Sequence, residues 1–241
     1  MSETLFVSDL HLEAKRQPIT DLFLRFLRER ARGADALYIL GDLFEFWIGD
    51  DSADQHDQEI QQGLKALAQS GTDLFLLVGN RDYLLGKTFA AASGLRLIPD
   101  PTRLDLYRVP TLLLHGDNLC TDDAAYMAYR HLTRSRLWRD AFLARPLAER
   151  RQTARRMREQ SKAKQREAPR EIMDVNPLAV RTTYETAEVR RLIHGHTHRE
   201  AVHELDINGA PCRRYVLGDW TETRGSVLRV TPEAWSLEAY E

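Results

Sequence analysis

Short apolar runs rich in valine, isoleucine, leucine and phenylalanine recur along this chain, each stopping at a glycine or a polar turn. They are Leu5–Val7, Ala36–Leu40, Leu74–Val78, Thr111–Leu114, Arg191–Ile193, Arg214–Leu217 and Ser226–Val230. Runs this short, bounded by turn residues, read as buried strands. Between the first three, apolar residues fall at helical spacing instead: Ile19, Leu22, Phe23, Phe26 and Leu27 in one stretch, Ile60, Leu64 and Leu67 in the next. Strand alternating with helix restricts the chain to an α/β layered fold. Its 241 residues suit one elaborated domain, residues 1–241.

Ligands of open α/β sheets bind beyond the carboxyl ends of the strands, so chemistry is to be sought in the residues after each run. Ser8-Asp9-Leu10-His11 follows the first run, Gly41-Asp42 the second and Gly79-Asn80-Arg81-Asp82 the third. His115-Gly116-Asp117 follows the fourth and His194-Gly195-His196-Thr197-His198 the fifth. One Asp-x-His is a weak signal, because an aspartate before a turn usually caps backbone amides. Five consecutive strand ends bearing carboxylate, imidazole or carboxamide are a strong one, since buried carboxylates repel one another unless cations hold them.

These turns offer seven candidate ligands. Mixed oxygen and nitrogen donors suit Mn²⁺, Fe²⁺ or Zn²⁺ better than Ca²⁺ or Mg²⁺. They are too many for one tetrahedral ion. They suit two ions about 3.5–4 Å apart sharing a carboxylate, the arrangement that clamps the attacking and leaving oxygens of a phosphoryl transfer. Cys120 and Cys212 have no Cys-x-x-Cys spacing and read as reduced structural thiols. His56, His131 and His203 stand isolated, His194 reads as a neighbour of the ligands or a core residue, and Glu45, Trp47, Asp50 and Asp51 read as supports of the turn after Asp42.

Asp9-x-His11, Gly41-Asp42, Gly79-Asn80, His115 and Gly195-His196-x-His198 together resemble the motif set of the calcineurin-like metallophosphoesterases, over most of the chain. The resemblance implies a layered β-sandwich flanked by helices. It also implies two divalent ions, Mn²⁺ foremost, one held by Asp9, His11, Asp42 and His198, the other by Asp42, Asn80, His115 and His196. More narrowly, Ser8-Asp9-Leu10-His11-Leu12, Gly41-Asp42-Leu43-Phe44-Glu45 and Trp47-Ile48-Gly49-Asp50-Asp51 resemble a branch that cleaves a lipid-linked sugar nucleotide in lipid A synthesis. Arg81 fits that branch, because phosphatases and nucleases of the superfamily commonly carry histidine there.

What this narrower resemblance implies is attack of a metal-activated hydroxide on the α-phosphorus of a UDP-linked diacylglucosamine, giving UMP and a diacylglucosamine 1-phosphate. Asp42, Asn80, Arg81 and His115 would be the catalytic set. Substrate contacts would be Asn80, Arg81, Asp123, Ser161, Gln165 and His196, with Lys162 or Lys164 available where the branch often has lysine and this chain has Ala168. The rival readings are a phosphomonoesterase or nuclease of the same superfamily, and a scaffold without chemistry, for which eroded ligands would be expected.

From about residue 122 to 170 the pattern changes: Tyr126, Tyr129, Leu132, Leu137, Trp138, Phe142, Leu143 and Leu147 lie among arginines. Two or more helices divided near Pro146 are expected, forming an inserted cap. Arg130 to Arg170 holds 14 Lys and Arg against Asp140, Glu149, Glu159 and Glu167, so this stretch carries +10 of a chain whose net charge is −2. The expectation is a cap that holds acyl chains and touches the inner membrane peripherally, with Arg150, Arg151 and Arg155 toward anionic lipid. No nucleic acid or obligate protein partner is expected. Met1-Ser2-Glu3-Thr4 leads directly into a strand with no signal core, giving a cytoplasmic reading.

Overall fold

The computed structural model describes residues 2–167 and 174–241, with side chains described for 2–159 and 174–241. In chain order the elements are β1 (Thr4–Val7), α1 (Gln17–Glu29), β2 (Ala36–Leu40), α2 (Gln55–Gln69), β3 (Asp73–Leu77), α3 (Lys87–Ser93), β4 (Arg96–Leu97), β5 (Thr102–Leu106) and β6 (Val109–Leu113). Then come α4 (Ala124–Arg134), α5 (Arg136–Leu143), α6 (Leu147–Glu167), α7 (Pro177–Ala187), β7 (Arg191–His194), β8 (Ala201–Ile207), β9 (Ala210–Val216), β10 (Gly225–Val230) and β11 (Trp235–Tyr240).

The strands form two sheets, one in the order β11-β10-β1-β2-β3-β4 and the other β5-β6-β7-β9-β8. Side-chain alternation explains why both sheets are covered on both faces. In β1, Leu5 and Val7 pack toward the helices while Phe6 enters the layer between the sheets. In β2, Leu37 and Ile39 face the helices and Leu40 the inter-sheet layer. In the second sheet Leu113 and Ile193 point inward, while Leu112, Leu114 and Leu192 pack with Val180 and Tyr184 of α7. The result is helix, sheet, sheet, helix: the expected layered sandwich.

β1, β2 and β3 are parallel, as are β6 and β7. Their carboxyl ends therefore deliver five turns to one edge of the sandwich. Sequence reading treated these five strands as consecutive. The structure corrects that: β4 and β5 lie between the third and fourth, and the five divide three and two between the sheets.

Four strands escaped the sequence reading, because β4 is only two residues long and β5, β8 and β11 are half-solvated rather than continuously apolar. One local signal was available. Asn208-Gly209, with φ of 54° and 78°, closes the β8–β9 hairpin, and Asn-Gly is a strong two-residue hairpin turn.

Three helices follow β6 before α7, and Pro146 stands immediately before α6 where the break was expected. Their apolar residues divide. Phe142 is buried in the main core, with Trp138 and Leu147 packed against it, and Trp138 stacks on Phe142 at 4.8 Å. Leu132 and Leu137 stay 56% and 83% exposed.

Arg150 does not face outward as expected. It is 3% exposed, pairs with Asp51 and donates to the Ile48 carbonyl and, at 3.0 Å, to the Arg145 carbonyl. A guanidinium has enough fixed donors to tie three segments together, which an exposed arginine would leave in water. Replacing it removes bonds to buried carbonyls at a net cost of about 1–3 kcal/mol. Arg150→Met should lower the unfolding free energy by about that amount in urea titration; an unchanged midpoint would show that the tie carries no stability.

Candidate metal centre

The chain bends sharply at the five strand ends. Asp9, His11, Asp42, His196 and His198 all adopt positive φ, between 49° and 67°, and are five of the nine such non-glycine residues among those described. A left-handed conformation at such residues costs about 1–3 kcal/mol each and persists where surrounding structure enforces it. That enforcement is visible. Asp9 N–H donates to Gly41 O at 3.1 Å, His11 N–H to Asp42 O at 3.0 Å, and Gly195 N–H to His115 O at 2.9 Å. Glycine is required at two close approaches: a Cβ on Gly79 would lie 2.1 Å from Asp42 Oδ1, and one on Gly195 2.1 Å from Asp9 Oδ2.

All seven expected side chains converge. Asp42 Oδ2 lies 3.9 Å from His11 Nε2 and 3.7 Å from His115 Nε2, between two groups of donors. On one side, His11 Nε2 is 3.2 Å from His198 Nε2, which is 3.3 Å from Asp9 Oδ1. On the other, Asn80 Oδ1 is 2.9 Å from both His115 Nε2 and His196 Nδ1. Asp9, His11 and His198 could hold one cation, and Asp9, Asp42 and His115 offer atoms mutually close enough for another.

The surroundings aim these donors. Asp42 Oδ1 accepts the Arg81 amide at 2.8 Å, leaving Oδ2 toward the centre. His115 Nδ1 meets the Leu40 carbonyl at 2.9 Å, a pure acceptor, so Nε2 faces inward. His11 Nδ1 sits 3.1 Å from Glu45, whose other oxygen is 2.8 Å from Arg158 Nε. Asp9 Oδ1 is buried with no hydrogen-bond partner among the described residues, as suits an oxygen kept for a cation.

Charge tells the same story. Burial alone would lower the His115 pKa, but the carboxylates of Asp42, Asp9 and Asp117 raise it to about 9. Burial would raise the Asp9 carboxyl, yet the adjacent His198, with the charges of His115 and His11, holds it well below the usual range. Burial also opposes ionisation of Glu45, but His11, Arg81 and Arg158 bring it down to about 2. Asp82 moves the other way, up to about 6, through burial and the nearby Asp42 charge. His196 falls to about 4, through burial and the neighbouring His115.

The remaining predicted contacts fare differently. Arg81 is half-buried, and it does not pair with Asp82, whose carboxylate instead accepts Leu43 N–H and Gly79 N–H at 2.7 Å each. Asp123 caps α4, accepting Tyr126 N–H at 2.8 Å. The side chains of Ser161, Lys162, Lys164 and Gln165 lie outside the described residues, as does Ala168. Trp47 Nε1 donates to Asp50, whose carboxylate caps α3 through Gly86, Thr88 and Phe89, so these residues support the turn's neighbourhood. His56 bonds Thr20 at 2.8 Å, and both cysteines are buried.

The sequence assigns Tyr126 to the cap's apolar surface for acyl chains and gives no individual role to Asp117, Arg130, Arg134 or Arg158. Buried Asp117 accepts Tyr126 O–H at 2.7 Å and Arg130 Nε at 2.8 Å, and Arg134 donates to Gly79 O at 2.8 Å. Arginines that looked like a solvated basic face thus fasten α4 to the floor of the site. Their spacing at Tyr126, Arg130 and Arg134, one face of a helix, was the available signal.

Residues 3–200 match the calcineurin-like phosphoesterase family, and the chain belongs to it. Its relatives narrow the class. It is 51% identical to the UDP-2,3-diacylglucosamine hydrolase of Stenotrophomonas maltophilia, over 98% of this chain and 97% of that one. It is 50% identical to the UDP-2,3-diacylglucosamine hydrolase of Xanthomonas axonopodis, over 98% of each.

Cation binding must displace the proton that the carboxylates hold on His115, so affinity should depend on pH. Below a pKa of about 9 the metal-free protein carries that proton. Calorimetric titration of metal-free protein with Mn²⁺ should show affinity rising from pH 6.5 to 8.5, with proton release; a pH-independent affinity would contradict His115 as a ligand.

Proposed function

We propose that this chain hydrolyses the pyrophosphate bond of UDP-2,3-diacylglucosamine, giving UMP and 2,3-diacylglucosamine 1-phosphate in lipid A biosynthesis. The observation that carries the reading is a cluster of seven donor side chains whose Asp42 is held by the Arg81 amide, in a chain about half identical, over 98% of its length, to a hydrolase bearing that substrate's name. Asp9, His11, Asp42 and His198 would hold one divalent ion and Asp42, Asn80, His115 and His196 a second, with Mn²⁺ the preferred metal. Bound there, the ions would supply acidification of water and neutralisation of phosphoryl charge.

The chain's own residues do the rest. Arg81 offers a planar, permanently charged donor to a phosphoryl oxygen, where a histidine would titrate. Asp42, fixed through the Arg81 amide, joins the two halves of the site. Glu45 orients the His11 ring and is itself held by Arg158. Asn80, Arg81, Asp123, Ser161, Lys164, Gln165 and His196 form the proposed substrate-binding set.

Residues 1–241 then constitute one domain, and about 122–170 its cap. Among the described residues no helix is long and apolar enough to cross a membrane. The exposed Leu132 and Leu137, with exposed Arg151, Arg155 and Arg156 on α6, support peripheral contact with the cytoplasmic face of the inner membrane. Basic residues near an anionic surface contribute about 1 kcal/mol each. Reversing Arg151 and Arg155 to glutamate should weaken sedimentation with phosphatidylglycerol vesicles by about tenfold or more; unaltered sedimentation would remove the membrane proposal.

The decisive assay is Mn²⁺-dependent UMP release from UDP-2,3-diacylglucosamine, run beside bis-p-nitrophenyl phosphate and single-stranded DNA. Efficient UMP release, poor turnover of the others and its abolition in folded Asp42→Ala are the expected results. Preference for the simple diester or DNA would assign the site to a phosphatase or nuclease instead.

A further inference from the structure

Behind the donor cluster lies a buried pair that the site's chemistry does not use directly. Arg214 of β9 is 9% exposed, and its Nη1 is 3.0 Å from Nε2 of the fully buried His194 at the end of β7. Among the described residues no carboxylate lies within ion-pair distance of Arg214, the charge of Asp174 acting on it from further off, and its Nε has no hydrogen-bond partner. A buried guanidinium without a close counterion is costly. Something specific must be gained by keeping it.

A guanidinium has only donors, so His194 Nε2 must be the acceptor and Nδ1 must carry the hydrogen. Nδ1 lies 2.8 Å from the carbonyl oxygen of Gly195, which can only accept. Gly116 leaves room for the ring, since a Cβ there would lie 2.7 Å from His194 Nδ1. The chain of donors is therefore polarised in one direction, from Arg214 through His194 to the Gly195 carbonyl.

That carbonyl shares a planar trans peptide with the amide of His196, so fixing one fixes the other in the opposite direction. The His196 N–H accordingly points at Asp9 Oδ2, at 2.9 Å, and Ser8 Oγ donates to the same oxygen at 2.6 Å. With Oδ2 occupied twice, the carboxylate turns Oδ1 toward the cluster, where it has no hydrogen-bond partner and lies 3.3 Å from His198 Nε2. His196 adopts φ 67° at this turn, where Thr197 N–H also donates to the Gly195 carbonyl at 2.8 Å.

We infer that Arg214 is a positioning residue for the metal centre: by fixing the tautomer of His194 it locks the Gly195–His196 peptide, which aims Asp9 Oδ1 and sets the backbone of His196. The inference rests on the proposed ligand roles of Asp9 and His196. Its first step, the tautomer, is independent of them. A purely structural arginine would need no such polarity, and methionine of similar length would replace it without consequence for the ligands.

The test has two arms. In metal-free wild-type protein, ¹⁵N–¹H correlation spectra of the histidine rings should show His194 with hydrogen on Nδ1; hydrogen on Nε2 overturns the proposal without reference to metal or substrate. In the second arm, Mn²⁺ affinity is measured by calorimetry on Arg214→Met and Arg214→Lys. Loss of an outer partner of metal ligands typically weakens binding about 10–100-fold. That loss is expected for Arg214→Met, with recovery to within about fivefold in Arg214→Lys, which keeps a donor. Unchanged affinity in folded Arg214→Met overturns the proposal. If that variant does not fold, Arg214→Lys decides: an Nδ1–H tautomer with near-native affinity supports it, and a switched tautomer with native affinity refutes it.

Discussion

Everything at this site depends on the placement of Asp42. Its carboxylate closes the gap between two groups of donors, each drawn from both sheets, and three independent bonds put it there. The Arg81 amide takes Oδ1, the Asp42 carbonyl receives the His11 amide, and the neighbouring Leu43 amide is held by buried Asp82. Asp82 also takes the Gly79 amide, so one carboxylate ties the turn that carries Asp42 to the turn that carries Asn80. The glycine at position 79 then lets the two turns approach within a distance no side chain would permit. Backbone strain, amide bonds and missing side chains act together to bring negative groups closer than their charges favour, and a pair of cations is what would make that arrangement favourable.

The helices after β6 are joined to this floor rather than laid over it. Asp117 follows the His115 turn and collects Tyr126 and Arg130 from α4, while Arg130 also reaches Asp100, whose carboxylate receives the His115 amide. On the far side, Arg150 anchors the start of α6 to the segment after Asp42 through Ile48 and Asp51. Phe142 and Trp138 complete the attachment by burial. What remains exposed is an apolar edge at Leu132 and Leu137 and a run of arginines on α6. These helices thus have one face committed to the site and another left exposed.

Much of this was legible in the sequence because the ligands follow strand ends, and strand ends are marked by apolar runs that stop at glycine. The convergence of Asp9, Asp42, Asn80, His115 and the His196–His198 turn needed only that regularity. What sequence did not reveal has a physical reason in each case. β5, β8 and β11 alternate with solvent and carry no long apolar run. Asp123 carries a carboxylate that serves equally as a helix cap or a ligand contact, and only geometry shows the cap. Arg150 and Arg130 are indistinguishable in composition from solvated arginines, and their burial depends on partners 99 and 13 residues away. Arg214 lay inside a run read simply as a strand.

The central claim is that two divalent ions share the carboxylate of Asp42. Electron paramagnetic resonance of the protein loaded with two equivalents of Mn²⁺ tests it most directly. The account predicts the spectrum of an exchange-coupled pair, lost in Asp42→Ala. A spectrum of isolated, uncoupled Mn²⁺ at full loading of the folded wild-type protein would contradict it.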